Sequence, residues 1–149
     1  MNLEKLAHDT AEIAKAVGAF LRSEQRQFSQ DRVEEKSLNA LVSDVDKNAE
    51  KQLVALLSAL LPEAGFITEE ETIQQTSAAP YTWVIDPLDG TTNFIHGLPI
   101  FSVSIALLKG PSPVVGVVYE VGQDECFVAY QGGGARCNGV PIQASGTPI

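Results

Sequence analysis

At Pro62 the sequence changes its hydrophobic period, and that change limits the fold more than any other single feature. Upstream, Leu3, Leu6, Ile13, Val17 and Phe20 follow helical spacing with Thr10 filling the gap, so they share one helix face. A second helix is signalled by Ser43-Asp44-Val45-Asp46, a serine cap with an acid three residues on. It runs through Ala49, Leu53, Leu56, Leu57 and Leu60 and stops before Pro62. The polar stretch from Ser23 to Lys36, anchored only by Phe28 and Val33, predicts a helix end followed by a surface hairpin or loop. Downstream of Pro62, short apolar runs bounded by turn residues predict strands at 65–68, 81–85, 101–108, 114–120 and 126–130. Lys109-Gly110-Pro111 and Gly122-Gln123-Asp124 are short enough to require antiparallel neighbours. The expected architecture is α+β, two helices packed on an antiparallel sheet in a single domain over 1–149.

Charge narrows the partners. Nineteen acidic residues against ten basic ones give a net charge of -9, which repels a phosphate backbone or an anionic membrane surface. No nucleic-acid or membrane partner is expected, and phosphate chemistry in so acidic a chain would require metal cations. The longest apolar runs, 104–108 and 114–119, fall far short of the roughly 20 residues that span a bilayer. Met1-Asn2-Leu3-Glu4-Lys5 lacks the basic-then-apolar order of a secretory signal, so a cytoplasmic setting is expected. Cys126 and Cys137 then read as unpaired thiols, buried or half-buried. Gly132-Gly133-Gly134 reads as a tight turn, since no helix and lysine follow to make a phosphate loop.

Three acidic groups sit where strands should end or helices begin: Asp44 with Asp46, Glu69-Glu70-Glu71 after the strand at Phe66-Ile67, and Asp86 with Asp89. Taken singly, each fits a cap, a turn or a solvated run. The third resists that treatment. Pro87 pushes Asp86 into an extended conformation, so Asp86 is expected to end its strand with a fixed carboxylate. Gly90 permits the tight bend into a short helix over Thr91 to Ile95 that Gly97 can end. Two carboxylates thus flank free helix amides: the acids need a cation and the amides attract an anion. Oxygen-only ligands select a hard ion such as magnesium, and magnesium beside a bound phosphate suits phosphoryl transfer to water.

The string Asp86-Pro87-Leu88-Asp89-Gly90-Thr91-Thr92-Asn93-Phe94 resembles the central motif of the inositol monophosphatase family, the lithium-sensitive, magnesium-dependent phosphatases. Glu69-Glu70 precedes it at the family's distance, and Leu41-Val42-Ser43-Asp44-Val45-Asp46-Lys47-Asn48-Ala49-Glu50 is similar to the motif that opens the family's second helix. Ser102-Val103-Ser104-Ile105-Ala106 and Gly134-Ala135-Arg136-Cys137-Asn138-Gly139 resemble the following strand and the late glycine-rich turn, so the likeness runs from the first helix to Gln143. It implies the N-terminal part of the sugar-phosphatase fold, a homodimer, and a small phosphate monoester as substrate. It also implies that Glu69, Asp86 and the Leu88 carbonyl bind a first magnesium ion, with Asp86 and Asp89 on a second. Thr91 would orient the attacking water, with Asp46 hydrogen-bonded to it and Glu69 close by. The phosphate would lie on the amides of Gly90, Thr91 and Thr92, and Glu70 would stand behind the ligands.

Two departures from the family pattern matter. Thr68 stands where a glycine usually precedes the glutamates. Family members also carry a second, α/β domain with a Trp-Asp dipeptide that completes the second metal site. Here the only tryptophan, Trp83, is followed by Val84, and no acid follows Glu125. The expectation is a truncated form with impaired activity. Asp124 and Glu125, at a hairpin turn, are expected to be solvated and outside the site.

Competing enzymatic and non-enzymatic functions stay open. A haloacid-dehalogenase type of phosphatase separates its aspartates by one residue, whereas Pro87 and Leu88 both intervene here. A catalytically silent interaction or regulatory module could keep the same fold. Inositol monophosphate is the expected substrate, with a sugar bisphosphate or 3′-phosphoadenosine phosphate as alternatives.

Overall fold

The computed structural model describes residues 1–30, 35–76 and 79–149. Helix α1 (Leu3–Gln30) starts where Asn2 caps it, its Oδ1 accepting from the Lys5 amide at 3.0 Å. Leu6, Ala7, Thr10, Ala11, Ala14, Val17 and Leu21 form its buried stripe. Helix α2 (Glu35–Leu60) buries Val42, Val45, Asp46, Ala49, Glu50, Leu53 and Leu57. Both helices lie on one face of a seven-stranded sheet, α1 over the middle strands and α2 over β2.

Strands β1 (Gly65–Thr68), β2 (Tyr81–Asp89), β3 (Ser102–Lys109), β4 (Ser112–Glu120), β5 (Glu125–Tyr130), β6 (Ala135–Cys137) and β7 (Val140–Ile142) lie in the sheet in chain order. The α+β reading holds, and so do the five expected strand positions. One pairing differs: β1 runs parallel to β2, so the sheet is mixed. The long connection over 69–80 allows this, since parallel neighbours need roughly a dozen residues to return. The core fills the helix-facing side with Trp83, Ile85, Val103, Ile105, Leu107, Val115, Val117 and Tyr119, all nearly inaccessible.

Four local expectations are corrected. The expected loop from Ser23 is helical to Gln30, because tertiary partners hold Gln25 and Phe28. Gln25 Nε2 donates to the carbonyls of Phe94 (3.2 Å) and Leu98 (3.1 Å), and Phe28 packs edge-on against Phe94 at 5.6 Å. Helix resumes at Glu35, and residues 31–34, with Val33, lie outside the described residues. Ser43 therefore sits exposed inside α2 and caps nothing, since Leu38 and Val42 extend the inward face upstream of it. Strand β2 does not end at Asp86; it continues to Asp89 through a register shift, which suits Pro87, a residue with no amide for the ladder. Finally, the sheet gains a hairpin, β6–β7, turned by Asn138 and Gly139, both at positive φ. The Asn-Gly dipeptide was the available signal.

The outer face of the sheet is also apolar. Ile67, Val84, Ala106, Gly116, Ala129, Ala135 and Ile142 stand in register across all seven strands. Val118 and Phe127 pair beside that row and stay 41% and 38% exposed. Both cysteines are unpaired, Cys126 buried and Cys137 half-buried, and Gly132-Gly133-Gly134 turns β5 into β6 with no helix following.

Candidate active site

The parallel pairing of β1 with β2 explains why two acidic segments distant in sequence meet. Thr68 pairs with Ile85, so the next residues, Glu69 and Asp86, leave the same end of the sheet side by side. Helix α2 packs on β2 and brings Asp46 to that end. Asp86 is hydrogen-bonded to Glu69, and burial pushes its pKa up to about 7, helped by Glu69 and by the charge of Asp89. The Leu88 amide, donating to Asp86 Oδ1 at 3.2 Å, works in the opposite direction. Asp46 is pushed up to about 8, first by burial, then by the charges of Glu70 and Asp86.

Asp46 hydrogen-bonds Glu70, where the family resemblance led to Thr91 as its partner. Buried beside those charges, the Asp46 carboxyl cannot ionise cheaply. The other oxygen, Oδ1, is buried with no partner at all. Glu69 and Asp89 are exposed, Leu88 is buried, and Asp44 faces solvent on α2. Asp124 accepts from the Tyr119 hydroxyl at 2.5 Å, a tie within the β4–β5 turn rather than a part of this cluster.

Helix α3 (Thr91–Ile95) begins one residue beyond the end of β2 at Asp89, with Gly90 at its N-cap. Gly90 has φ 99°, and a Cβ there would stand 2.9 Å from the Ile100 carbonyl oxygen. Glycine is thus required both by backbone conformation and by space. The first internal bond of α3 runs from the Phe94 amide to the Gly90 carbonyl at 3.0 Å, which leaves the amides of Thr91 and Thr92 outside the helix's own bonding. Phe94, fully buried between Phe28 and Phe101, fixes this short helix in place.

These residues suit a hard divalent cation chemically. All the donors are oxygens, one buried carboxylate oxygen is orphaned, and the ion pairs Lys5–Asp9 and Lys15–Glu12 lie on α1 instead of among these acids. Geometrically, the acids stand as two carboxyl pairs with Asp89 beside them. Among the described residues no three His, Cys, Asp or Glu side chains close on one point. A cation here would displace the protons that burial holds on Asp46 and Asp86.

Sequence reasoning passed over one residue of this neighbourhood. Glu50, fully buried, accepts from the Glu70 amide (2.7 Å), the Thr72 amide (2.8 Å) and the Thr72 hydroxyl (2.7 Å). The signal was its position four residues after Asp46, on the same inward face.

Comparison with known proteins finds both a family and a fold that match. The model of the inositol monophosphatase family matches residues 2–149. An inositol-1-monophosphatase of Mesorhizobium japonicum is 42% identical over 105 residues, covering 70% of this chain and 40% of the relative. A fructose-1,6-bisphosphatase/inositol-1-monophosphatase of Aquifex aeolicus is 37% identical over 142 residues, covering 95% and 53%. The solved inositol monophosphatase of Anabaena (Nostoc) sp. PCC 7120 superposes with a TM-score of 0.82 at 34% identity, covering 99% of this chain and 52% of that one. The chain spans about half the length of the relatives it matches. With the motifs, the fold and the family model in agreement over nearly every residue, the chain belongs to the inositol monophosphatase family.

Proposed function

We propose that this chain carries the metal-binding α+β domain of a magnesium-dependent phosphatase that hydrolyses phosphate monoesters, inositol monophosphate foremost. The observation that carries the proposal is the gathering of Asp46, Glu69, Glu70, Asp86 and Asp89 at one end of the β1–β2 pair, beside the start of α3. Asp46 and Asp86 there hold protons at neutral pH that a cation would displace. Magnesium, when bound, supplies positive charge for the phosphate oxygens and lowers the pKa of water.

Glu69, Asp86 and the Leu88 carbonyl would hold the first ion, and Asp86 with Asp89 would supply part of a second site. Thr91 and Asp46 orient the attacking water, with Glu69 close enough to take part, while the amides of Gly90, Thr91 and Thr92 receive the phosphate. The family resemblance adds lithium inhibition, a homodimer and a cytoplasmic setting. Among the described residues no helix is long and apolar enough to cross a membrane.

A second function, a catalytically silent module of the same fold, is favoured by the open arrangement of the acids and by the half-length match. Phosphate release from inositol 1-phosphate by the 149-residue chain, with magnesium and with EDTA, separates the two. The phosphatase gives slow, magnesium-dependent release that Asp86→Asn abolishes. Absence of release at any magnesium concentration selects the silent module.

A further inference from the structure

We propose that Glu50 is the positioning residue of this site: from inside α2 it fixes the backbone of the 69–72 segment, and so sets Glu69 and Glu70 against Asp86 and Asp46. The inference rests on the metal-binding function proposed above and adds to it a residue that contacts neither metal nor substrate. A carboxylate has lone pairs for about four donors. Glu50 receives three, all from Glu70 and Thr72, and among the described residues no cation pairs with it. It is fully buried and lies one turn after Asp46 on the same face of α2.

One helix face thus grips the segment twice, Glu50 through its main chain and Asp46 through the side chain of Glu70. The segment needs such a hold. It follows the last β1 residue, belongs to no helix or strand, and holds Glu71 at φ 52°, a conformation that side-chain-bearing residues seldom adopt. Without Glu50, the amides of Glu70 and Thr72 would lose their acceptors and the Glu69 carboxylate its fixed origin. Groups that orient metal ligands in this way change metal affinity by about 10- to 100-fold when replaced.

The test uses the 149-residue chain and Mn2+, whose free concentration is read by electron paramagnetic resonance, together with hydrogen exchange at the Glu70 and Thr72 amides. Four variants serve: Glu50→Gln, Thr72→Val, Asp44→Asn and Glu69→Gln. Glu50→Gln should weaken Mn2+ binding by about 10-fold or more and deprotect both amides, and saturating Mg2+ should restore part of that protection, since the coupling is reciprocal. Thr72→Val, which removes one bond and no charge, should weaken binding in the same direction by a smaller factor. Asp44→Asn, which removes a charge from the exposed side of α2, should leave affinity within about twofold, separating positioning from loss of charge.

If Glu50→Gln fails to fold, Thr72→Val alone decides, and unchanged affinity in that variant overturns the proposal. Unchanged affinity in Glu50→Gln beside a loss in Glu69→Gln also overturns it, while leaving the metal site standing. A wild-type chain that binds no Mn2+ removes the metal site itself.

Discussion

Asp86 sits between Glu69 and Asp89 with its pKa pushed up to about 7 by burial first and by those neighbours after it. Its charge therefore costs the metal-free fold energy, and function and stability should part company there. Asp86→Asn should not lower the melting temperature in EDTA at pH 8, yet should remove the stabilisation that magnesium gives the wild type; thermal melts with and without the ion read both. Thr91 offers a different test, since its hydroxyl stands at the start of α3 while its amide lies outside the helix's own bonding. Thr91→Ala should lower kcat by roughly 10²-fold with a smaller change in KM, the pattern of a group that matters in the transition state. An unchanged kcat would remove Thr91 from the water-orienting role.

At the scale of elements, α3 depends on Gly90. Replacing it with alanine forces a Cβ to 2.9 Å from the Ile100 carbonyl oxygen at a backbone angle alanine avoids. The expected cost is about 1 to 3 kcal/mol, with weakened metal binding because Asp89 immediately precedes the strained residue; chemical denaturation and Mn2+ titration measure the two. Leu53, fully buried in α2, gives a contrasting case. Leu53→Ala should cost about 2 to 5 kcal/mol without altering affinity in the folded fraction.

The same elements show what the sequence makes legible. Apolar spacing gives the start of α1, the end of α2 and the five longer strands, because burial follows the period directly. The gathering of Asp46, Glu69, Asp86 and Asp89 is legible from their motifs. Three features depend on contacts that no local window contains. Residues 23–30 are helical because Phe94 and Leu98 receive Gln25 and Phe28; β1 pairs in parallel with a strand that starts only after the 69–80 connection; and Glu50 reads as an ordinary helix glutamate until Glu70 and Thr72 fold onto it.

For the whole molecule, two properties follow from charge and surface. Asp46 and Asp86 retain protons in the folded chain up to about pH 8 and about pH 7, while the unfolded chain releases them near the ordinary carboxylate pKa of about 4. Between those limits the folded state binds more protons, so metal-free stability should fall as pH rises from about 4 to about 8. Denaturation midpoints in EDTA at pH 5 and pH 8 check the sign, and magnesium should flatten the slope. The apolar outer row of the sheet carries Val118 and Phe127 beside it, both exposed, and contiguous exposed apolar residues favour association. The 149-residue chain should therefore self-associate, and Phe127→Lys should shift sedimentation toward the monomer. Whether these carboxyls form a magnesium site is read by calorimetric titration of magnesium at pH 7 in buffers of different ionisation enthalpy. One weakly bound ion per chain is expected, with protons released on binding because Asp46 and Asp86 must ionise. Binding without proton release, or binding undiminished in Asp86→Asn, would contradict that expectation.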